Sequence, residues 1–157
     1  MSSAGTDGRV RIKRVAGMEP LRQTSSDVRL TLSARPENVG IVRHVLGAFG
    51  EALHLPPDIV EDVRLAATEA CTNVVRHAYD GSEPGTLDIV IRPSGDLLEV
   101  IVSDDGRGLG ASPDTRGPGL GIPMIAALAH SLEIQHAPRA GSRLAMSFLC
   151  RGRVGAA

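Results

Sequence analysis

Glu69-Ala70-Cys71-Thr72-Asn73-Val74-Val75-Arg76-His77-Ala78-Tyr79 closes a stretch of helical periodicity that opens at Leu55-Pro56-Pro57-Asp58. Ile59, Val63, Ala66, Ala67, Ala70, Val74 and Ala78 recur at spacings of three and four, the signature of a helix with one apolar stripe. Glu69 and Asn73 are four apart and share a face. At ~100° per residue they fall on the edge of that stripe rather than opposite it. A carboxylate and an amide at a core boundary need polar partners, unless the edge is simply solvated; both readings are open from this segment alone. His77 falls toward the apolar side and reads as a hydrogen-bonded, partly buried histidine.

Working outward, Val28, Leu30 and Leu32 alternate with Arg29 and Thr31, so 27–33 reads as a strand with one buried face. Pro36 suits a first helical position, and Val39, Val42, Val45, Leu46, Phe49 and Leu53 mark an amphipathic helix over 36–54, weakened by Gly47 and Gly50. After the turn cluster Asp80-Gly81-Ser82-Glu83-Pro84-Gly85 come strands over 86–92 and 97–102, joined by a hairpin at Pro93-Ser94-Gly95-Asp96. Residues 104–121 are rich in Gly and Pro. Ile122 to His130 reads as a helix, and 132–136 and 143–149 as strands joined around Ala140-Gly141-Ser142. The order β, α, α, β, β, loop, α, β, β predicts an α/β (α+β) two-layer sandwich, with helices on one face of a mixed, mostly antiparallel sheet. Residues 1–26 read as a flexible leader, 27–150 as the folded domain and 151–157 as a tail.

Two further segments depart from the needs of packing. Val102-Ser103-Asp104-Asp105-Gly106-Arg107-Gly108 ends an alternating strand in an acidic residue followed by Gly-x-Gly, where glycine permits close backbone approach to a ligand or simply a turn. Gly117-Pro118-Gly119-Leu120-Gly121-Ile122 opens a helix, whose free N–H groups suit an anion. Gly85, Gly95 and Gly141 call only for turn explanations.

Taken together, in this order and spacing, the three segments resemble the GHKL ATPases, the family shared by histidine kinases and type II topoisomerases. The resemblance spans roughly 28–149, and within the family the 69–79 string is most similar to the small serine-kinase anti-sigma factors. It implies a histidine kinase-like ATP-binding domain that uses ATP and Mg²⁺. Glu69 would be the general base. Asn73 would hold Mg²⁺, which takes few protein ligands and keeps waters and phosphate oxygens. Asp104 would accept from the adenine amino group, chosen over Asp105 because it stands two before Gly106. Gly106 and Gly108 would let the chain pass the nucleotide, 109–118 would form a short lid, and Gly119, Leu120 and Gly121 would bring backbone amides to the phosphates. Ser142 stands where the family carries threonine. Arg107 and Arg116 flank the lid and either could meet phosphate.

The resemblance further implies an anti-sigma factor that phosphorylates a serine or threonine of an anti-anti-sigma (STAS) partner and so controls a sigma factor, as a homodimer. An ATP-binding partner-switch module without significant turnover is the alternative, since Glu69 and Asn73 serve both. The chain lacks the dimerisation helices that carry the phosphoaccepting histidine of a histidine kinase.

Bulk properties agree with this class. At 157 residues the chain suits one domain. A formal charge of -1 gives no general attraction to nucleic acid or membrane. The basic run Arg9-Val10-Arg11-Ile12-Lys13-Arg14 reads as a solvated tail, and with Phe at two positions and Tyr at one there is little to stack on bases. Cys71 and Cys150 fit no metal or disulfide framework. With no apolar run of spanning length and no signal-peptide pattern, a cytoplasmic location is expected.

Overall fold

The alternation of Val28, Leu30 and Leu32 becomes β1 (Val28–Ser33), and the prolines at 36 and 57 each open a helix, α1 (Pro36–Ala52) and α2 (Pro57–His77). β2 (Thr86–Ser94), β3 (Leu97–Asp104), α3 (Gly121–Leu128), β4 (Ser131–His136) and β5 (Ser142–Leu149) follow. This computed structural model describes residues 27–79, 81, 83–107, 121–136 and 141–151. The leader 1–26, the basic run 9–14, the lid 109–118 and residues 152–157 of the tail lie outside the described residues, as do Gly108, Arg116, Gly119 and Leu120.

The five strands form one sheet in the order β1-β2-β3-β5-β4. All four described pairings are antiparallel, where the sequence reading left room for a parallel pair. β3 and β4 run the same way with β5 between them, so α3 is the crossover of a split β-α-β unit. The inward row of each strand is apolar: Leu87, Ile89 and Ile91 on β2, Leu98, Val100 and Val102 on β3, Leu144, Met146 and Phe148 on β5. Burying such a side chain is worth about 1.5–3 kcal/mol, so these rows and the helix stripes facing them dominate stability.

α2 is the central helix, packed on α1, α3 and strands β2, β3 and β5. Its small residues Ala66, Ala67 and Ala70 are all buried, which lets the helix axis lie close to the sheet. α1 rests on α2, and Gly50 is the contact point: a Cβ there would lie 2.7 Å from Val60 Cγ2. The glycine that weakens α1 in isolation thus permits the close crossing. α1 ends in a Schellman turn, with Leu55 N–H donating to Gly50 C=O and His54 N–H to Glu51 C=O. His54 takes the left-handed position usually given to glycine, at φ 53°. On the open face, Arg92 ties three strands' neighbourhoods together, pairing with Asp27 at 3.0 Å and Glu99 at 3.2 Å.

Candidate functional site

The register carries the inward rows to one end of the sheet, where the next inward pair is polar: Asp104 faces Ser142 across β3 and β5. Both are buried at 7% exposure. The Ser142 hydroxyl donates to one Asp104 carboxylate oxygen, and Gly106 N–H donates to the other at 2.9 Å. A carboxylate oxygen offers two lone pairs, so Asp104 is satisfied within the fold and each of its oxygens still has room for one more donor. Strand alternation separates the two aspartates: Asp104 continues the inward row and Asp105 turns to solvent.

Glu69 and Asn73 are half-buried on α2 and face the start of α3. A Cβ on Gly121 would stand 2.6 Å from Glu69 Oε1 and 3.2 Å from Asn73 Nδ2. A side chain there would push the Glu69 tip aside, and the bare glycine puts the N–H end of α3 beside both side chains. Neither side chain is hydrogen-bonded among the described residues. Between the two polar ends lies a cleft lined by Ala70, Asn73 and Val74 of α2, Val102 of β3, Ile122 of α3, and Ser142 and Leu144 of β5. Its walls are mostly apolar, and the Ser142 hydroxyl ties them to the buried Asp104 carboxylate. No cluster of three or more His, Cys, Asp or Glu that could hold a metal exists among the described residues. A cation at the Asn73 end would therefore take its remaining ligands from phosphate and water.

Two glycines read from sequence as ordinary turn residues prove to be steric requirements. At Gly141, with φ +83°, a Cβ would fall 1.9 Å from the Asp104 carbonyl oxygen. At Gly85 it would fall 1.9 Å from the Tyr79 ring. Gly106 behaves as expected of a close-approach glycine, but what it approaches is the Ala78 carbonyl oxygen, 2.1 Å from a Cβ. The loop after Asp104 is in fact hung from the end of α2. Arg107 N–H donates to Ala78 C=O at 2.8 Å and its guanidinium to His77 C=O at 3.4 Å. Arg107 thus caps the negative end of α2. His77 is exposed rather than partly buried, because Val74 and Ala78 take the sheet-facing positions at that end. Tyr79 was passed over by sequence reasoning; its hydroxyl bonds to Thr86 and Asp105.

Residues 32–148 match the family model described as the histidine kinase-like ATPase domain. The chain belongs to the histidine kinase-like ATPase family. Within that ATPase family it is 34% identical over 143 residues to the serine-protein kinase RsbW of Halalkalibacterium halodurans, covering 81% of this chain and 86% of that protein. It is 30% identical over 152 residues to the serine-protein kinase RsbW of Bacillus pumilus, covering 85% and 93%. The match to RsbW of Bacillus subtilis (strain 168) is 36% over 86 residues and spans 54% of that protein. A solved structure of the RsbU and RsbW domains of a Mycobacterium tuberculosis protein superposes with a TM-score of 0.63 at 22% identity, over 78% of this chain and 32% of that one. The histidine kinase domain of a blue-light activated kinase from Erythrobacter litoralis gives 0.52 at 16%, over 76% and 62%. At those identities the two structures speak to the fold, which is that of the histidine kinase-like ATPases.

Proposed function

We propose that the chain is a Mg-ATP-dependent protein kinase that phosphorylates a serine or threonine of a STAS-class anti-anti-sigma protein, and that it retains a sigma factor while that partner is phosphorylated. The observation that carries this reading is the meeting of Glu69 and Asn73 with the first residue of α3, beside a cleft lined by Asn73 and by Ser142, the hydrogen-bond partner of Asp104. The names of the RsbW relatives support the serine-kinase class. Bound Mg-ATP would supply the transferable γ-phosphoryl group and the metal charge that offsets the phosphates.

The chain's own residues then divide the work. Asp104 accepts from the adenine amino group while Ser142 and Gly106 N–H hold its two oxygens in place. Val74, Val102, Ile122 and Leu144 exclude water from the ring faces. The Asn73 amide oxygen would hold the cation. The α3 start at Gly121, with Gly119 and Leu120 before it, offers backbone N–H groups to phosphate. Glu69 takes the proton of the attacking hydroxyl as the new bond to phosphorus forms and the bond to the diphosphate breaks.

Phosphate on the partner changes its charge by about -1.5 to -2, which suffices to bias a competition between two partners for one surface. A homodimer in the cytoplasm belongs to the same reading. Cys71 and Cys150 are free cysteines, and no helix among the described residues is long and apolar enough to cross a membrane.

The test is transfer of labelled γ-phosphate from Mg-ATP to a panel of single-domain STAS proteins from the same genome, with Glu69→Ala as control. Label on one member that disappears in the control is the expected result. ATP binding with no label on any member would sink the kinase reading and leave an ATP-dependent binding module.

A further inference from the structure

The strand β3 delivers Asp104 to the cleft, but a side chain at a strand end is only as well aimed as the peptide that follows it. The Asp104–Asp105 peptide is a planar unit that includes the Asp104 Cα. Its carbonyl oxygen lies against Gly141, where a Cβ would come within 1.9 Å. Its N–H donates to the Tyr79 hydroxyl at 3.3 Å. One peptide group is therefore held from both sides, by the glycine just before β5 and by a tyrosine just after α2.

We infer that Tyr79 is a positioning residue for nucleotide selection: by holding the Asp104–Asp105 peptide it aims the Asp104 carboxylate, and so sets the preference for adenine over guanine. The inference rests on the reading of Asp104 as the adenine partner.

The hydroxyl has the right capacity for this. It carries one proton and two lone pairs. Thr86 N–H donates to it at 3.0 Å and Asp105 N–H at 3.3 Å, which fills both lone pairs. Its own proton lies between the Thr86 carbonyl, 2.7 Å away, and the Asp105 carboxylate. All bonding capacity is used, and the partners come from two chain segments, the start of β2 and the loop after β3. Burial first, then the hydrogen bond to the Asp105 carboxylate, pushes the phenol up to about 12, so it remains a donor at neutral pH. The ring is seated by its neighbour: a Cβ on Gly85 would fall 1.9 Å from Tyr79 Cε1. Replacing the tyrosine by phenylalanine keeps the seat and removes only the bonds.

The experiment measures dissociation constants of the full-length chain for ATP and for GTP, without protein partner, in wild type and Tyr79→Phe. The expected result is a fall of about five-fold in the ATP-over-GTP preference, the size set by one lost hydrogen bond. A tyrosine that merely stabilises the fold would lower the melting temperature, or weaken both nucleotides alike, with the ratio unchanged; that outcome overturns the inference. Asp105→Ala, at an exposed position, gives a second reading in the event of poor folding. It removes one of the hydroxyl's anchors and is expected to lower the ratio by about two-fold, and an unchanged ratio counts against the inference. ATP binding by wild type with an unaltered ratio in both variants overturns this inference alone. Absence of ATP binding by wild type overturns the nucleotide reading as well.

Discussion

The two ends of the cleft are built on opposite principles. At the Asp104 end nearly every polar group is already spoken for: the carboxylate by Ser142 and Gly106, the following peptide by Tyr79, the loop by Ala78 and His77. At the Glu69 end two polar side chains lie against a helix start with no hydrogen bond among the described residues. Selection asks for groups that cannot move, and satisfied hydrogen bonds supply that rigidity. The proposed chemistry asks for lone pairs that are free to accept a proton or a cation, and an unbonded carboxylate and amide have them to offer.

The largest test of this contrast is Glu69→Ala. Phosphate transfer should fall by about a thousand-fold, within the range for a lost general base, while the ATP dissociation constant stays within about three-fold; a matching loss of binding would show that the two ends are not separable. Next comes Gly141→Ala. The added Cβ meets backbone rather than a flexible tip, at a positive φ, so the cost is expected to be about 3 kcal/mol of stability, read by chemical denaturation. A cost below about 1 kcal/mol would mean that the Asp104 peptide is not clamped.

Ser142→Ala should act on binding rather than on fold. It removes one of the two internal donors to Asp104, and ATP affinity should drop by about five-fold with the transfer rate at saturation unchanged. The smallest effect is a pH dependence at the selecting end and in the core behind it. Burial pushes the Cys71 thiol from 9.0 up to about 12, and the Tyr79 phenol goes from 10.0 to about 12. Below pH 9 both groups are protonated in the folded and unfolded chains, and their contribution is complete. Above it the unfolded chain releases the protons first, so stability should fall from pH 9 toward 12. Cys71→Ala should flatten the part of the slope that starts near pH 9, and Tyr79→Phe the part that starts near pH 10.

Much of this architecture was legible in the sequence, for identifiable reasons. Periodicities of two and of three to four survive in any alternating or amphipathic segment, so Leu87-x-Ile89-x-Ile91 and the α2 stripe declared themselves. That Glu69, Asn73 and Asp104 sit at core boundaries was legible because polar groups there break those patterns; the roles expected of them came only from the order and spacing of three segments. The order of strands was not legible: nothing local tells β5 to enter between β3 and β4. Tyr79 was hidden because it closes an apolar stripe, where an aromatic ring is unremarkable, and because its partners are mostly backbone groups of Thr86 and Asp105, which leave no residue signature. His77 was misplaced because helical phase alone does not reveal where a helix runs out of sheet to cover. Gly85 and Gly141 looked like turn residues, since steric need across 6 or 37 positions, respectively to Tyr79 and Asp104, is invisible in a local window.

The placement of β5 also sets a timetable for synthesis. The ribosome makes the chain from its amino end, so β5 emerges after all four of its companion strands. Until then β4 lacks its described partner strand, β3 has one bare edge, and Asp104 has no Ser142 across from it. A nascent chain short of residue 142 cannot complete the Asp104 end of the cleft, however well α2 and the first three strands have settled. If the proposed site is correct, nucleotide capture should coincide with closure of the sheet.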